Sequence, residues 1–211
     1  MSPGRSYCRG VVKRGLDVTI ALAALLILAP VLILLAAAVL VTSGTPVLFV
    51  QERIGMDGRP FRLLKLRTMR RDSAQGLPIT GAGDRRVTRL GGLLRAIKLD
   101  ELPQLVNVLK GDMSLVGPRP EIPRYVAHYT PGQRRVLEAR PGLTDPASIL
   151  FRDEEALLGS IPDGARERYY VETILPKKLG MNLEYIDRAS VKYDLRLLLL
   201  TVKVVLWPAG P

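Results

Sequence analysis

The stretch KLDELPQL, residues 98–105, sets Asp100 and Glu101 side by side. Adjacent carboxylates can cap a helix, hold a hard cation, or divide the work of nucleophile and helper. Pro103 favours the first reading. Proline is accepted in the first helical turn and disfavours helical backbone at the residue before it. The pair therefore stands at a helix entrance, where acids gain from the macrodipole and cap the chain for about 1 kcal/mol. The charge around the pair favours chemistry. Arg95 and Lys98 precede it, and Arg119 is held between Pro118 and Pro120 in GPRP. Lys65, Arg67, Arg86 and Arg89 add further positive charge. Arginine grips phosphate oxygens in a bidentate fork. Mg²⁺ binds through one or two carboxylates plus substrate phosphate, here Asp100 and Glu101. A carboxylate left over can attack phosphorus. Asp100 and Glu101 are thus the candidate catalytic and metal-binding residues. Arg95, Arg119, Lys65, Arg67 and Arg86 are the candidate phosphate-binding residues.

The chain as a whole suits an anionic partner. Its 211 residues carry a net charge of +11, with an isoelectric point near 10.1. Aromatic residues make up only 5%, which leaves few platforms for stacking single-stranded nucleic acid. Nucleic acid is therefore not expected as a partner. The one cysteine, Cys8, excludes an internal disulfide and a cysteine-rich metal site.

Several elements must position the site. Residues 47–55 and 61–69 read as two short strands around a turn at 56–60, and alternation sets Lys65 and Arg67 on one face. Residues 72–84 read as a loop. Helices are expected over 88–97, 102–110 and 130–140, the second closed by Gly111. Residues 112–123 read as extended, and 153–180 as helical with interruptions at Pro162 and Pro176. The fold class expected is α+β, mostly helical, with a small β-hairpin. Three regions follow: an N-terminal membrane segment over 1–45, a catalytic domain over 46–194, and a C-terminal interfacial helix over 195–211.

The membrane segment runs from Val18 to Val41 without a charge. About 24 residues give roughly 36 Å of helix, against a hydrocarbon core of about 30 Å. Basic residues flank it on both sides: Arg5, Arg9, Lys13 and Arg14 before it, Arg53, Arg59, Arg62 and Lys65 after it. Positive flanks stay cytoplasmic, and one straight crossing cannot satisfy both. Pro30 lies near the middle and removes one helical hydrogen bond. A helix broken at Ala29-Pro30 could enter one leaflet and return. A Pro-kinked spanning helix is the alternative. At the other end, YDLRLLLLTVKVVLW carries Arg196 and Lys203 among apolar residues and ends on Trp207. That pattern fits an amphipathic helix lying in the interface, or an ordinary core helix.

KLRTM (65–69), the block DRRVTRLGGLLRAIKLDELPQLVNVLKGDMSLVGPRPE (84–121) and RPGLT (140–144) resemble the bacterial sugar transferases, the small monotopic phosphoglycosyl transferases. The likeness runs from Lys13 to about Thr144 and more loosely beyond. It implies transfer of a phospho-sugar from a UDP-sugar to polyprenyl phosphate, with Mg²⁺, at the cytoplasmic face of a bacterial inner membrane. Both termini would be cytoplasmic. Asp100 would form an aspartyl phospho-sugar intermediate and expel UMP. Glu101 would hold Mg²⁺ or assist proton handling, and Arg95 and Arg119 would hold phosphates. The product would begin a glycoconjugate or polysaccharide. The resemblance also implies a re-entrant helix-break-helix at Ala29-Pro30 and an anionic lipid surface as partner. A homodimer is left open. Two departures stand out: Ala29 replaces a serine that many members carry, and TDPAS (144–148) replaces a Gly- and Gln-containing continuation. Two other readings remain, a membrane-anchored phosphohydrolase and a non-catalytic basic membrane adaptor.

Overall fold

The computed structural model describes residues 2–71 and 79–206. The seven residues of helix α1 (Pro3–Arg9) begin on Ser2, whose side chain accepts from the Arg5 N–H. Helix α2 (Val11–Ser43) follows as 33 residues in one run. Strands β1 (Leu48–Ile54) and β2 (Pro60–Leu66) form an antiparallel hairpin, with Phe49 opposite Lys65. The loop expected at 72–84 falls mostly on residues 72–78, outside the described residues.

Helix α3 (Arg89–Ala96) is capped by Thr88, which accepts from the Gly91 N–H. A 3₁₀ turn (Leu99–Glu101) leads into helix α4 (Gln104–Lys110), and Gly111 closes it in the left-handed conformation at φ 94°. Strand β3 (Ser114–Val116) pairs in parallel with β4 (Gly142–Thr144). Short helices α5 (Pro123–Val126), α6 (Pro146–Leu150), α7 (Glu154–Gly159) and α8 (Asp163–Tyr169) follow on and between. A π turn (Tyr170–Ile174) joins α8 to α9 (Leu175–Arg188), and α10 (Val191–Leu206) completes the described chain.

The main core gathers around α9, α4 and β3, with Leu105, Val108, Met113, Val116, Leu179 and Tyr185 all buried. Gly4 lets α1 lie directly on α9; a Cβ there would stand 2.4 Å from the Ile186 carbonyl oxygen. Gly142 and Gly117 bring the parallel strands together in the same way, with 2.1 Å from a Gly142 Cβ to the Gly117 nitrogen.

Helix α2 meets this body at both ends. Near its start, Lys13 and Asp17 are buried. The Lys13 Nζ lies 2.6 Å from Asp194 Oδ2 and 3.7 Å from Asp17 Oδ1. Asp17 also accepts from the Leu115 N–H at 3.0 Å, and Arg14 donates to the Val108 and Leu109 carbonyls. Near its end, Val39 is buried with Leu66 and Leu94 in a second, smaller cluster. Burying such a side chain contributes about 1.5–3 kcal/mol. Arg67 donates to the Ser43 and Gly44 carbonyls, which have no acceptor role within the helix. Between these anchors Leu22, Leu26, Ile27, Val31, Ile33 and Leu34 are exposed. Among the described residues, α2 is the one helix long and apolar enough to cross a membrane.

Several expectations are revised. Ala29 and Pro30, where a break is expected, both lie inside the continuous helix Val11–Ser43. A proline removes one N–H donor from a helix and is a common place for it to bend. The residues expected to be extended after Gly111 are so at β3, which is also paired. The helix expected over 130–140 is a 3₁₀ segment, Gln133–Glu138. Pro176 does not interrupt a helix; it sits in the first turn of α9. The C-terminal helix begins at Val191, ahead of the boundary drawn at 195. Its Leu197 is buried while Leu195, Leu199 and Val202 are exposed. Trp207 lies outside the described residues.

Candidate active site

Lys98 turns the chain from α3 into the acidic pair. It adopts a left-handed backbone, φ 56°, a conformation that costs a non-glycine residue about 1–2 kcal/mol. The 3₁₀ turn after it carries both carboxylates inward. Asp100 is 5% exposed and Glu101 8%, so neither is the solvated cap that a helix entrance alone would give.

The two acids have different partners. The Lys65 Nζ donates to Glu101 Oε1 at 2.8 Å. Arg119 grips both Glu101 oxygens, with Nη1 donating to Oε2 at 3.2 Å and Nη2 to Oε1. Burial would push the Glu101 carboxyl up, but Arg119 and Lys65 hold it well below the usual carboxylate range. The same pair raises the Arg119 guanidinium pKa. Burial pulls the Lys65 ammonium down against the opposing pull of Glu101. Asp100 moves the other way. Burial raises its carboxyl pKa, Lys65 opposes this, and Glu101 adds to it. Its Oδ1 is buried with no hydrogen-bond partner. A buried carboxylate oxygen without a donor is costly in a resting fold. In a site that binds phosphorus or a cation it is an unspent ligand.

The elements explain why Lys65 and Arg119 arrive here. Asn107 on α4 accepts from the Leu64 N–H at 3.1 Å and donates to the Arg62 carbonyl at 2.7 Å. That fixes β2 across the start of α4 and aims Lys65 at Glu101. Arg119 leaves the C-terminal end of β3, where the Gly117 N–H donates to Thr144 and the Gly142 N–H to Pro118. Arg53 of β1 donates to the Pro120 carbonyl at 2.9 Å and to Glu121 at 3.5 Å. Tyr170, at the start of the π turn, donates to the other Glu121 oxygen.

The other expected cations are elsewhere. β2 ends at Leu66, so Arg67 leaves the ladder and serves the end of α2. Arg95 donates to Thr68 Oγ1 at 3.0 Å, Glu155 at 3.1 Å and Thr80 at 3.4 Å. Arg86 pairs with Asp84 at 2.7 Å. The hydrogen bonds described for these three run to other groups, while the charge of Arg95 still acts on the Asp100 carboxyl and lowers it. Sequence reasoning passed over Arg53, Glu121 as its partner, and Gln104. Arg53 lies in a strand far from the pair, and no spacing rule joins them. His128, the one histidine of the sequence, is exposed. Cys8 is buried in the core, where burial pushes its thiol up to about 11.

Mg²⁺ fits this donor set through one residue. Among the described residues no cluster of three or more His, Cys, Asp or Glu forms. Asp100 Oδ1 is free to bind a cation together with a substrate phosphate, the arrangement Mg²⁺ favours. Glu101 has both oxygens committed to Lys65 and Arg119.

Comparison with known proteins gives the family. The model of the bacterial sugar transferase family matches residues 8–208. The chain is 39% identical over 206 residues to a UDP-glucose:undecaprenyl-phosphate glucose-1-phosphate transferase of Caulobacter vibrioides, covering 92% of this chain and 69% of that one. It is 38% identical over 202 residues to the sugar transferase EpsL of Bacillus subtilis, covering 95% and 90%. It is 34% identical over 203 residues to a UDP-N-acetylgalactosamine-undecaprenyl-phosphate N-acetylgalactosaminephosphotransferase of Aeromonas hydrophila, covering 94% of this chain and 44% of that one. With a family match over nearly its whole length, this chain belongs to the bacterial sugar transferases and is a phosphoglycosyl transferase.

Proposed function

We propose that this enzyme transfers a phospho-sugar from a UDP-sugar to polyprenyl phosphate through a covalent intermediate on Asp100. The observation that carries the reading is the contrast inside the pair. Glu101 is neutralised by Lys65 and Arg119, while Asp100 keeps a buried oxygen with no donor. An Asp100 oxygen attacks the sugar-bearing phosphorus. The phosphoanhydride P–O bond breaks, and UMP leaves with the bonding electron pair. A polyprenyl phosphate oxygen then attacks the same phosphorus, and the Asp100 carboxylate leaves with its electrons. The bond between the sugar and its phosphate oxygen stays intact, so the anomeric configuration is retained. Mg²⁺, held by Asp100 and substrate phosphate, would offset the charge of the donor diphosphate. Glu101 keeps Lys65 and Arg119 aligned beside the reacting phosphorus. The relatives' names support a UDP-sugar and undecaprenyl phosphate as the two substrates.

The same reading includes a one-sided membrane geometry at the cytoplasmic face of the inner membrane. Both ends of α2 dock on the catalytic body, through Lys13 and Asp17 at one end and Val39 at the other. A helix bent at Pro30, entering one leaflet and returning, satisfies both anchors and both basic flanks. The exposed apolar side chains of α10 support its lying in the interface. Basic residues near the surface add attraction to anionic lipid of about 1 kcal/mol each. A soluble donor and a lipid phosphate can then meet at headgroup depth.

The test uses radiolabelled UDP-sugars, among them UDP-glucose and UDP-N-acetylgalactosamine, with undecaprenyl phosphate in detergent. Lipid-linked diphosphosugar and UMP are expected. Free sugar phosphate with no lipid product would instead make the protein a phosphohydrolase.

A further inference from the structure

Gln104 is 1% exposed, and its Nε2 has no hydrogen-bond partner. Asp100 Oδ1, four positions earlier, is in the same condition. The backbone between them is helical: Leu102 and Pro103 both have right-handed helical angles, and the Leu105 N–H donates to the Leu102 carbonyl. The hydrogen bonds across this stretch run from each residue to the third before it, so Asp100 and Gln104 stand on successive turns. A buried acceptor and a buried donor, each without a partner, thus flank the turn that opens α4.

Packing alone gives no reason to keep an amide here. Leu105 and Val108 on the same helix are buried and apolar. The buried amide of Asn107 is fully used, bonding Leu64, Arg62 and Asp112. An unpartnered amide donor is a cost that a leucine or methionine would remove. Groups kept at such a cost belong with function.

We propose that Gln104 is a further catalytic residue, whose amide N–H donates to a non-bridging oxygen of the phosphoryl group attached to Asp100. Lys65 and Arg119 are both bonded to Glu101. Gln104 is the neutral donor beside the attacking oxygen. A donor aimed at a phosphoryl oxygen lowers the barrier to both displacements, since negative charge shifts onto that oxygen each time. The proposal rests on Asp100 as nucleophile.

The test compares Gln104→Leu, Gln104→Glu and Asp100→Asn in the full chain. The probe is whichever of UDP-glucose, UDP-galactose and UDP-N-acetylgalactosamine the wild type turns over fastest. Gln104→Leu should melt at or above the wild-type temperature, because it removes an unpartnered polar group. Its single-turnover UMP release should slow by roughly 10- to 100-fold with KM little changed. Gln104→Glu should lose UMP release as well, since it exchanges the donor for a second anion. A folded Gln104→Leu releasing UMP at the wild-type rate overturns the proposal. So does a lowered melting temperature with activity lost only in proportion to unfolding, which would make Gln104 a packing residue. If Asp100→Asn is inactive while Gln104→Leu is normal, only this inference falls. If Asp100→Asn releases UMP normally, the nucleophile reading falls and this inference with it.

Discussion

Removing Arg119 would strand Glu101 in the interior with Lys65 as its one remaining cation. Breaking a buried pair from one side costs about 3–5 kcal/mol. The Arg119 side chain is 28% exposed, so roughly 2–3 kcal/mol is the fair expectation once screening is allowed for. For a chain of this size that lowers the melting temperature by about 4–12 °C. Arg119→Ala with Glu101→Gln should recover a good part of the loss, because the uncompensated charge goes with the guanidinium. Thermal melts of the two single variants and the double variant in detergent measure this. If the double variant melts as low as Arg119→Ala, the pair is not what holds the loop. At this scale the motif was legible in part. Asp100, Glu101, Lys65 and Arg119 stood out by type and setting, and the fold brings all four together. For Arg67 and Arg86 the sequence offers only charge, which does not say which acceptor an arginine reaches, and Arg67 reaches the end of α2. Gln104 carries no signal in one sequence, because a glutamine in a helix is ordinary until its amide is found buried and unpartnered.

Helix α2 is held by chemistry unlike that of its exposed middle. Lys13 sits between Asp17 and Asp194, and Asp194 also accepts from Tyr7 at 2.9 Å and Tyr185 at 2.7 Å. One buried carboxylate, Asp194, thus joins α1, α2, α9 and α10, with Lys13 as its counter-charge. Lys13→Met keeps the apolar stem and deletes the charge, leaving two buried carboxylates facing each other. A cost of about 3–5 kcal/mol follows, or roughly 6–20 °C in melting temperature. A melt within a degree or two of wild type would show the network to be dispensable. The hairpin, α3 and α4 were legible from alternation, a threonine cap and a closing glycine. The parallel pair β3 and β4 was not, since three-residue strands carry no period and their pairing is long-range. The π turn at Tyr170–Ile174 was hidden as well, because one extra residue per turn leaves no compositional mark.

For the whole molecule, composition said most. A charge of +11 and one long apolar helix with basic flanks point to a lipid surface and phosphorylated ligands. The one-sided geometry proposed above rests on the anchoring of both ends of α2 to the catalytic body. Single cysteines placed near residue 2 and near residue 204, with Cys8 replaced by alanine, should both be protected in intact cells from a membrane-impermeant thiol reagent. Both should label after the inner membrane is opened. A label on either site from outside would contradict the bent, one-sided helix and leave a simple crossing.

The nucleophilic role of Asp100 is tested most directly by intact mass. Wild-type protein is incubated with a UDP-sugar and Mg²⁺ in the absence of polyprenyl phosphate, quenched, and weighed. The expected result is a mass increase of one phospho-sugar, lost on treatment with hydroxylamine and absent from Asp100→Asn. An adduct of that mass on Asp100→Asn, or UMP released from the wild type in stoichiometric burst with no adduct on the protein, would contradict the account.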